Sequence, residues 1–358
     1  MVGPTATRLA VLSGAVAVAL AAAACNLTGE DNRNHRLALW DAGSGDWRFI
    51  SPAGRSIHEV EWLPDGSAML VTEGEPRGTG RGQPGGYFLT VREPSGKVRW
   101  EVEGGMDDRQ PIAAIGSPDG AEVAVLRDTF GSGERRAFVE IRDTRSGRVL
   151  RSTEEWTTPL TGGATPADAD IVWTPDGRLA VVSHRGVGFN DLLWFDAGSM
   201  TAEPVRPTEA SEVWATGNAV NPKVLVFAVD HSSGGSSLTL HEPAGPAGAI
   251  DVGLGGNLAV DFSPDGNRLV VAHDQRVEVI DLRTAEHHIL RDANTQGISW
   301  ATTGRIAIAW GNEVITFDEE GSGLRTEVSL SGGRTARHPE WSPDGKRLAF
   351  IVEPRYRD

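Results

Sequence analysis

The chain has 358 residues, with 49 acidic against 34 basic side chains and a formal charge of −15. That balance argues against nucleic acid as a partner, because phosphate backbones are held by basic patches, and against electrostatic docking on anionic lipid, so that the membrane is expected to be met through a lipid anchor only. A single cysteine leaves no intrachain disulfide, which a chain this long tolerates because it can bury a large apolar core. Only Lys97, Lys223 and Lys346 are lysines, and with abundant Ala and Gly this points to a GC-rich bacterial genome.

In chain order, the first element is an apolar run. Leu9–Ala24 follows Arg8 and contains one polar side chain, Ser13, and Cys25 comes next. Such a run suits the core of an export signal and is shorter than the roughly 20 residues a spanning helix needs. The segment resembles the lipobox of bacterial lipoproteins, with Ala22 where leucine is commoner three positions before the cysteine. The resemblance implies that residues 1–24 are a lipoprotein signal peptide and that Cys25 is lipidated and becomes the new N-terminus. Residues 25–36 would then be a polar tether, NLTGEDNRNH over 26–35, reaching about 30–35 Å from the outer face of the cytoplasmic membrane. Ordinary Ala-x-Ala cleavage and an uncleaved anchor are the alternatives.

From residue 37 a two-part motif repeats. The first part is a turn: WLPDG at 62–66, GSPDG at 116–120, WTPDG at 173–177, FSPDG at 262–266 and WSPDG at 341–345, with weaker copies VNPKV at 220–224 and WATTG at 300–304. Pro presets φ near −65°, Asp bonds the backbone within the turn, and Gly takes the positive φ. The second part is an apolar alternation running into an acidic turn, as in LALWDAGSG from Leu37, VEIRDTRSG from Val139 and VEVIDLRTA from Val277. The flanking runs are of strand length, so each repeat predicts two hairpins and a four-stranded antiparallel sheet. The chain opens on a second part and closes on a first part, and these half-units are completed only by pairing with each other. With about 46 residues per repeat, the expectation is an all-β fold, a single seven-bladed β-propeller over 37–358. It closes by pairing between 37–50 and 346–353. Trp62, Trp173, Trp300 and Trp341 recur at one motif position and are predicted to be core between blades.

SPDGKRLAF at 342–350 and SPDGNRLVV at 263–271 resemble the WD40-like repeats of TolB-type propellers. The resemblance implies a propeller fold shared by scaffolds, receptors and enzymes alike. Residues 1–36 are too few for TolB's leading α/β domain, so TolB's own partners are not implied. An accessory role beside a membrane sensor or transporter, as in actinobacterial lipoproteins of the LpqB type, is a subtype of the scaffold reading.

Two candidate surfaces follow. Long connections (73–86, 103–110, 127–136, 152–168, 183–190 and 230–237) concentrate in the first four repeats. They supply Trp156, Phe130 and Phe189 as candidate aromatic anchors and Arg77, Arg81, Arg135 and Arg136 as polar contacts, with drift of unconstrained Gly-rich loops as the alternative. The innermost strands line an axial tunnel with His58, Glu59, Glu61, Asp168, Asp170, Asp261, His338 and Glu340. His58 and His338 fall on neighbouring blades, but no repeated His spacing supports a metal, and a hydrated polar channel explains these residues equally. The His287–His288 pair is predicted to lie on an outermost strand with its rings on opposite faces. No G-x-S-x-G elbow or phosphate loop is present. The expected function is a monomeric, non-catalytic, lipid-anchored scaffold binding a protein or envelope component, without cofactor. The alternative is a lyase or hydrolase acting on a small ligand or carbohydrate at the acidic tunnel mouth.

Overall fold

The computed structural model describes residues 35–354, except 75–86, 105–108, 130–134, 159–168, 185–189, 203–205, 209–211, 217–223, 231–234, 243–244, 251–258 and 274. Among these residues there is no helix, and the strands form seven antiparallel sheets. Six are built from consecutive strands, spanning 56–103, 109–158, 169–208, 212–250, 259–292 and 298–329. The seventh joins the two ends of the chain.

Each sheet starts from its turn. Gly66, Gly120, Gly177, Gly266 and Gly345 have φ of 66°, 70°, 84°, 68° and 64°, the left-handed region that glycine enters without steric cost. Ser117, Ser263 and Ser342 donate their hydroxyls to Asp119, Asp265 and Asp344 two residues on, at 2.6, 2.5 and 2.6 Å. The Ser263 hydroxyl and the Asn267 side chain and amide hold the Asp265 carboxyl down at about 2, so it stays ionised and keeps accepting. In the second hairpin the acid works the same way, with Asp281 Oδ1 accepting from the amides of Arg283 and Thr284 at 2.9 and 2.8 Å.

The closing sheet runs, edge to inner strand, Trp47–Phe49, Arg36–Asp41, Arg347–Glu353, Thr335–Trp341. Leu37 pairs with Ile351, Leu39 with Ala349 and Asp41 with Arg347. LALWD is apolar at successive positions because both faces of this sheet are covered. Leu37 and Leu39 pack with Ile57, Trp62, Met69 and Val71 of the first sheet, while Ala38 and Trp40 pack with Ala307, Ala309, Val314 and Trp341 on the other side. Trp40 meets Trp341 edge to face at 6.1 Å. Trp62, Trp173, Trp300 and Trp341 are all buried, as their recurrence predicts.

Strand order gives the assembly two ends. The Ser-Pro-Asp-Gly turns and the acidic turns lie at one, and the connections between second and third strands and between sheets lie at the other. Several connections are shorter than the sequence suggests. Strand pairing continues through Thr129 and resumes at Arg135, and in the fourth sheet it continues through Asp230 and resumes at Gly235. The span 152–168 is not wholly a connection. The outer strand of the second sheet breaks after Ser152 and rejoins at Trp156–Thr158, both pieces pairing with Arg135–Asp143.

Candidate functional site

At the connection end, Arg77, Arg81, Phe130 and Phe189 lie outside the described residues, as do Asp168 of the tunnel set and Cys25. Arg135 opens the strand Arg135–Asp143, and Arg136 beside it is exposed and ion-paired with Glu155 at 3.5 Å. Trp156 points inward. Its rejoined strand sets Trp156 opposite Ala137, and the ring tilts against Phe195 of the third sheet at 5.3 Å within the core between those sheets. It is therefore an inter-sheet packing residue and not an exposed anchor.

Around the axis, the innermost strands are Ser56–Trp62, Ala169–Trp173, Ala259–Phe262, Ile298–Trp300 and Thr335–Trp341, among others. Asp170 falls on the second of these. His58 and His338 lie on adjacent innermost strands one position out of step, four residues before Trp62 and three before Trp341, each at a break in the ladder: between Ile57 and Glu59, and between Arg337 and Glu340. His338 has φ of 45°, which a non-glycine residue adopts mainly at such irregularities, and its amide donates to Gln296 O at 3.0 Å. The breaks aim the two rings differently. His58 packs edge-on to Tyr87 at 5.5 Å and sits over Gly74 of its own sheet. His338 lies among Arg337, Glu353 and His35, and surrounding protein together with Arg337 lowers its pKa. Among the described residues no group of three His, Cys, Asp or Glu has metal-holding geometry.

Farther toward the turn end, the residues preceding Phe262, Trp300 and Trp341 form a cross-sheet chain. Asp261 accepts from the amides of Trp300 at 2.6 Å and Phe262 at 2.7 Å. Ser299 accepts from the Trp341 amide at 3.1 Å, and Trp62 Nε1 donates to Glu340 O at 3.0 Å. The fifth, sixth, closing and first sheets are thereby pinned in succession. Sequence reasoning placed Asp261, Glu61 and Glu340 on the tunnel but missed Ser299. The signal was its place immediately before Trp300, the position that Glu61, Asp261 and Glu340 hold before their own aromatics.

These carboxylates are crowded. Surrounding protein raises Asp261 to about 7 against the pull of its two amide donors. Glu340 is raised well above the ordinary carboxylate range, by enclosure first and then by the charges of Asp261, Glu61 and Glu59. Both are half-buried. A carboxyl whose folded pKa is raised adds stability at acidic pH, and that stability is lost as pH rises through the folded value. Thermal stability should fall between pH 5 and pH 8 by on the order of 1–3 kcal/mol through this cluster. Glu340→Gln should flatten that fall, measured by melting scans across the range. A variant curve parallel to the parent's would remove the cluster from the explanation.

No family model matches the chain, and no curated protein matches it. Solved structures do. The β-propeller domain of Myceliophteria thermophila Cps50 (Swd1) superposes with a TM-score of 0.54 at 12% identity, covering 84% of this chain and 96% of that one. The likeness is one of fold, and the chain folds as a β-propeller.

Proposed function

We propose that this chain is a seven-bladed propeller of the TolB-like repeat type, lipid-anchored through Cys25 at the outer face of a bacterial cytoplasmic membrane. There it acts as a monomeric, non-catalytic scaffold for a protein or envelope component. The observation that carries the reading is the closing sheet: Arg36–Asp41 is sandwiched between strands from both ends of the chain, which makes a rigid ring whose connection end is free to vary. Seven sheets among the described residues and about 46 residues per repeat support the blade count. The apolar run before Cys25 supports export and lipidation. The non-catalytic reading is supported at the axis, where both oxygens of the most perturbed aspartate, Asp261, are occupied by the Trp300 and Phe262 amides.

The test is in-cell crosslinking and affinity capture of the full-length protein from detergent-solubilised membranes, beside a variant lacking residues 76–86. A discrete partner should be captured by the full chain and depleted at least about tenfold with the variant, the effect of removing one or two hot-spot contacts. Equal capture by both would displace the reading from that connection. Turnover of a sugar or small ligand that disappears in Asp170→Asn and His338→Ala variants would replace the scaffold with an enzyme.

A further inference from the structure

The described chain begins at His35, whose Nε2 meets Glu353 at 3.3 Å, and it enters the closing sheet at the connection end. The preceding chain is therefore attached at this rim and not at the turn end. The same rim carries guanidinium groups stacked on aromatic rings. Arg36 lies 3.9 Å and Arg334 5.8 Å from the centroid of Phe49, and Arg291 lies 6.0 Å from that of Trp310. Trp310 ends the second strand of the sixth sheet and is 42% exposed, although every other tryptophan with a stated burial in the cores is nearly covered. Arg291 and Arg334 have no carboxylate within ion-pair distance among the described residues, in a chain with far more acid than base. An arginine over the exposed Trp310 and a second over Phe49 match a headgroup layer, where the indole ring settles at the interface and the cations meet lipid phosphate.

We infer that this rim, from Arg291 and Trp310 to Arg334 and Phe49, docks on an anionic phospholipid surface. The inference rests on the anchored reading above and adds an orientation to it. The tether brings this end to the bilayer, and the turn end, studded with aspartates, faces away. Net charge, which argued against lipid docking, averages over the whole surface, whereas this rim presents Arg36, Arg291 and Arg334 on aromatic rings. Asp292 and Glu313 stand on the same rim. The attraction is therefore local to the stacked guanidiniums and short-ranged in salt.

The experiment reconstitutes the full-length lipidated protein into phosphatidylcholine vesicles with or without phosphatidylglycerol, and follows flotation and backbone hydrogen exchange. Amides in 291–297, 308–313 and 330–337 should exchange at least about threefold more slowly with phosphatidylglycerol, corresponding to a bound fraction above one half. Turn-end peptides 63–66 and 342–346 should not change. Arg291→Glu with Arg334→Glu should abolish the slowing. About 0.5 M salt on the unaltered protein should do the same, which covers the case of a variant that folds poorly. Equal exchange in the two vesicle types, or slowing at the turn end, overturns the docking. Flotation with pure phosphatidylcholine reports the anchor separately. A protein that fails to float there but is still slowed at the rim by phosphatidylglycerol retains the docking and loses the anchor.

Discussion

A chain lacking residues 37–50 is expected to lose its cooperative melting transition and to aggregate. Arg36–Asp41 is the second strand from the edge of the closing sheet, hydrogen-bonded on both sides. Its removal also takes away Trp47–Phe49 and leaves Arg347–Glu353 as a bare edge of apolar residues, a template for intermolecular pairing. Two cores open together, because Leu37, Leu39 and Ile50 fill one and Ala38 and Trp40 the other. Trp40 alone, truncated to alanine beside Trp341, should cost about 3–5 kcal/mol. Against a typical total of about 5–15 kcal/mol, loss of the whole segment is more than the fold can absorb. Melting scans with size-exclusion chromatography check this, and recovery of the truncation as a stable monomer with unchanged melting would sink the closure argument. Leu39→Asp is the point-substitution version, placing a charge in a site that is 1% exposed.

The repeats were legible because their chemistry is local. Pro, Asp and Gly in the turns bond within a few residues, so the Ser263–Asp265 contact and the positive φ of Gly266 can be read from the letters alone. Closure was legible from the order of half-units. What the letters could not carry was the aim of individual side chains. Trp156 reads as a residue of a polar connection, and only the rejoining of the outer strand at 156–158 turns it onto Phe195. His58 and His338 belong to neighbouring strands, but they stand one position out of step relative to Trp62 and Trp341 and each falls at a ladder break, which gives them different surroundings. Trp310 ends the strand RIAIAW just before the turn at Gly311, and unlike Trp62, Trp173, Trp300 and Trp341 it is exposed, which its letter alone does not show. Glu73 misleads in the opposite sense, because a glutamate next to a Gly-rich connection reads as surface and is instead fully enclosed.

That glutamate carries the second large expected effect: Arg92→Ala should destabilise the propeller by about 3–5 kcal/mol. Glu73 is 0% exposed and Arg92 3%. One carboxylate oxygen accepts from Arg92 Nη2 at 2.5 Å and from the Thr90 hydroxyl at 2.8 Å, and the other meets Arg55 Nη1 at 3.3 Å. Arg92 also donates to Gly96 O at 2.9 Å, which ties the turn of the second hairpin to the buried pair. Arg55 cannot replace Arg92, because its closer partner is the more exposed Glu101 at 2.5 Å and its guanidinium is stacked on Phe88 at 3.8 Å. Removing Arg92 therefore leaves a carboxylate in the core with its main cation gone, whereas Arg55→Ala should cost only about 1 kcal/mol. At this chain length the Arg92→Ala loss corresponds to a melting shift of roughly 4–8 °C. The double variant Glu73→Gln with Arg92→Met separates the causes. If the cost comes from an uncompensated buried charge, replacing both partners should recover most of it, and denaturant unfolding of the two variants side by side measures the difference. A double variant as unstable as Arg92→Ala would instead assign the loss to the Gly96 contact and to packing around the Arg92 stem.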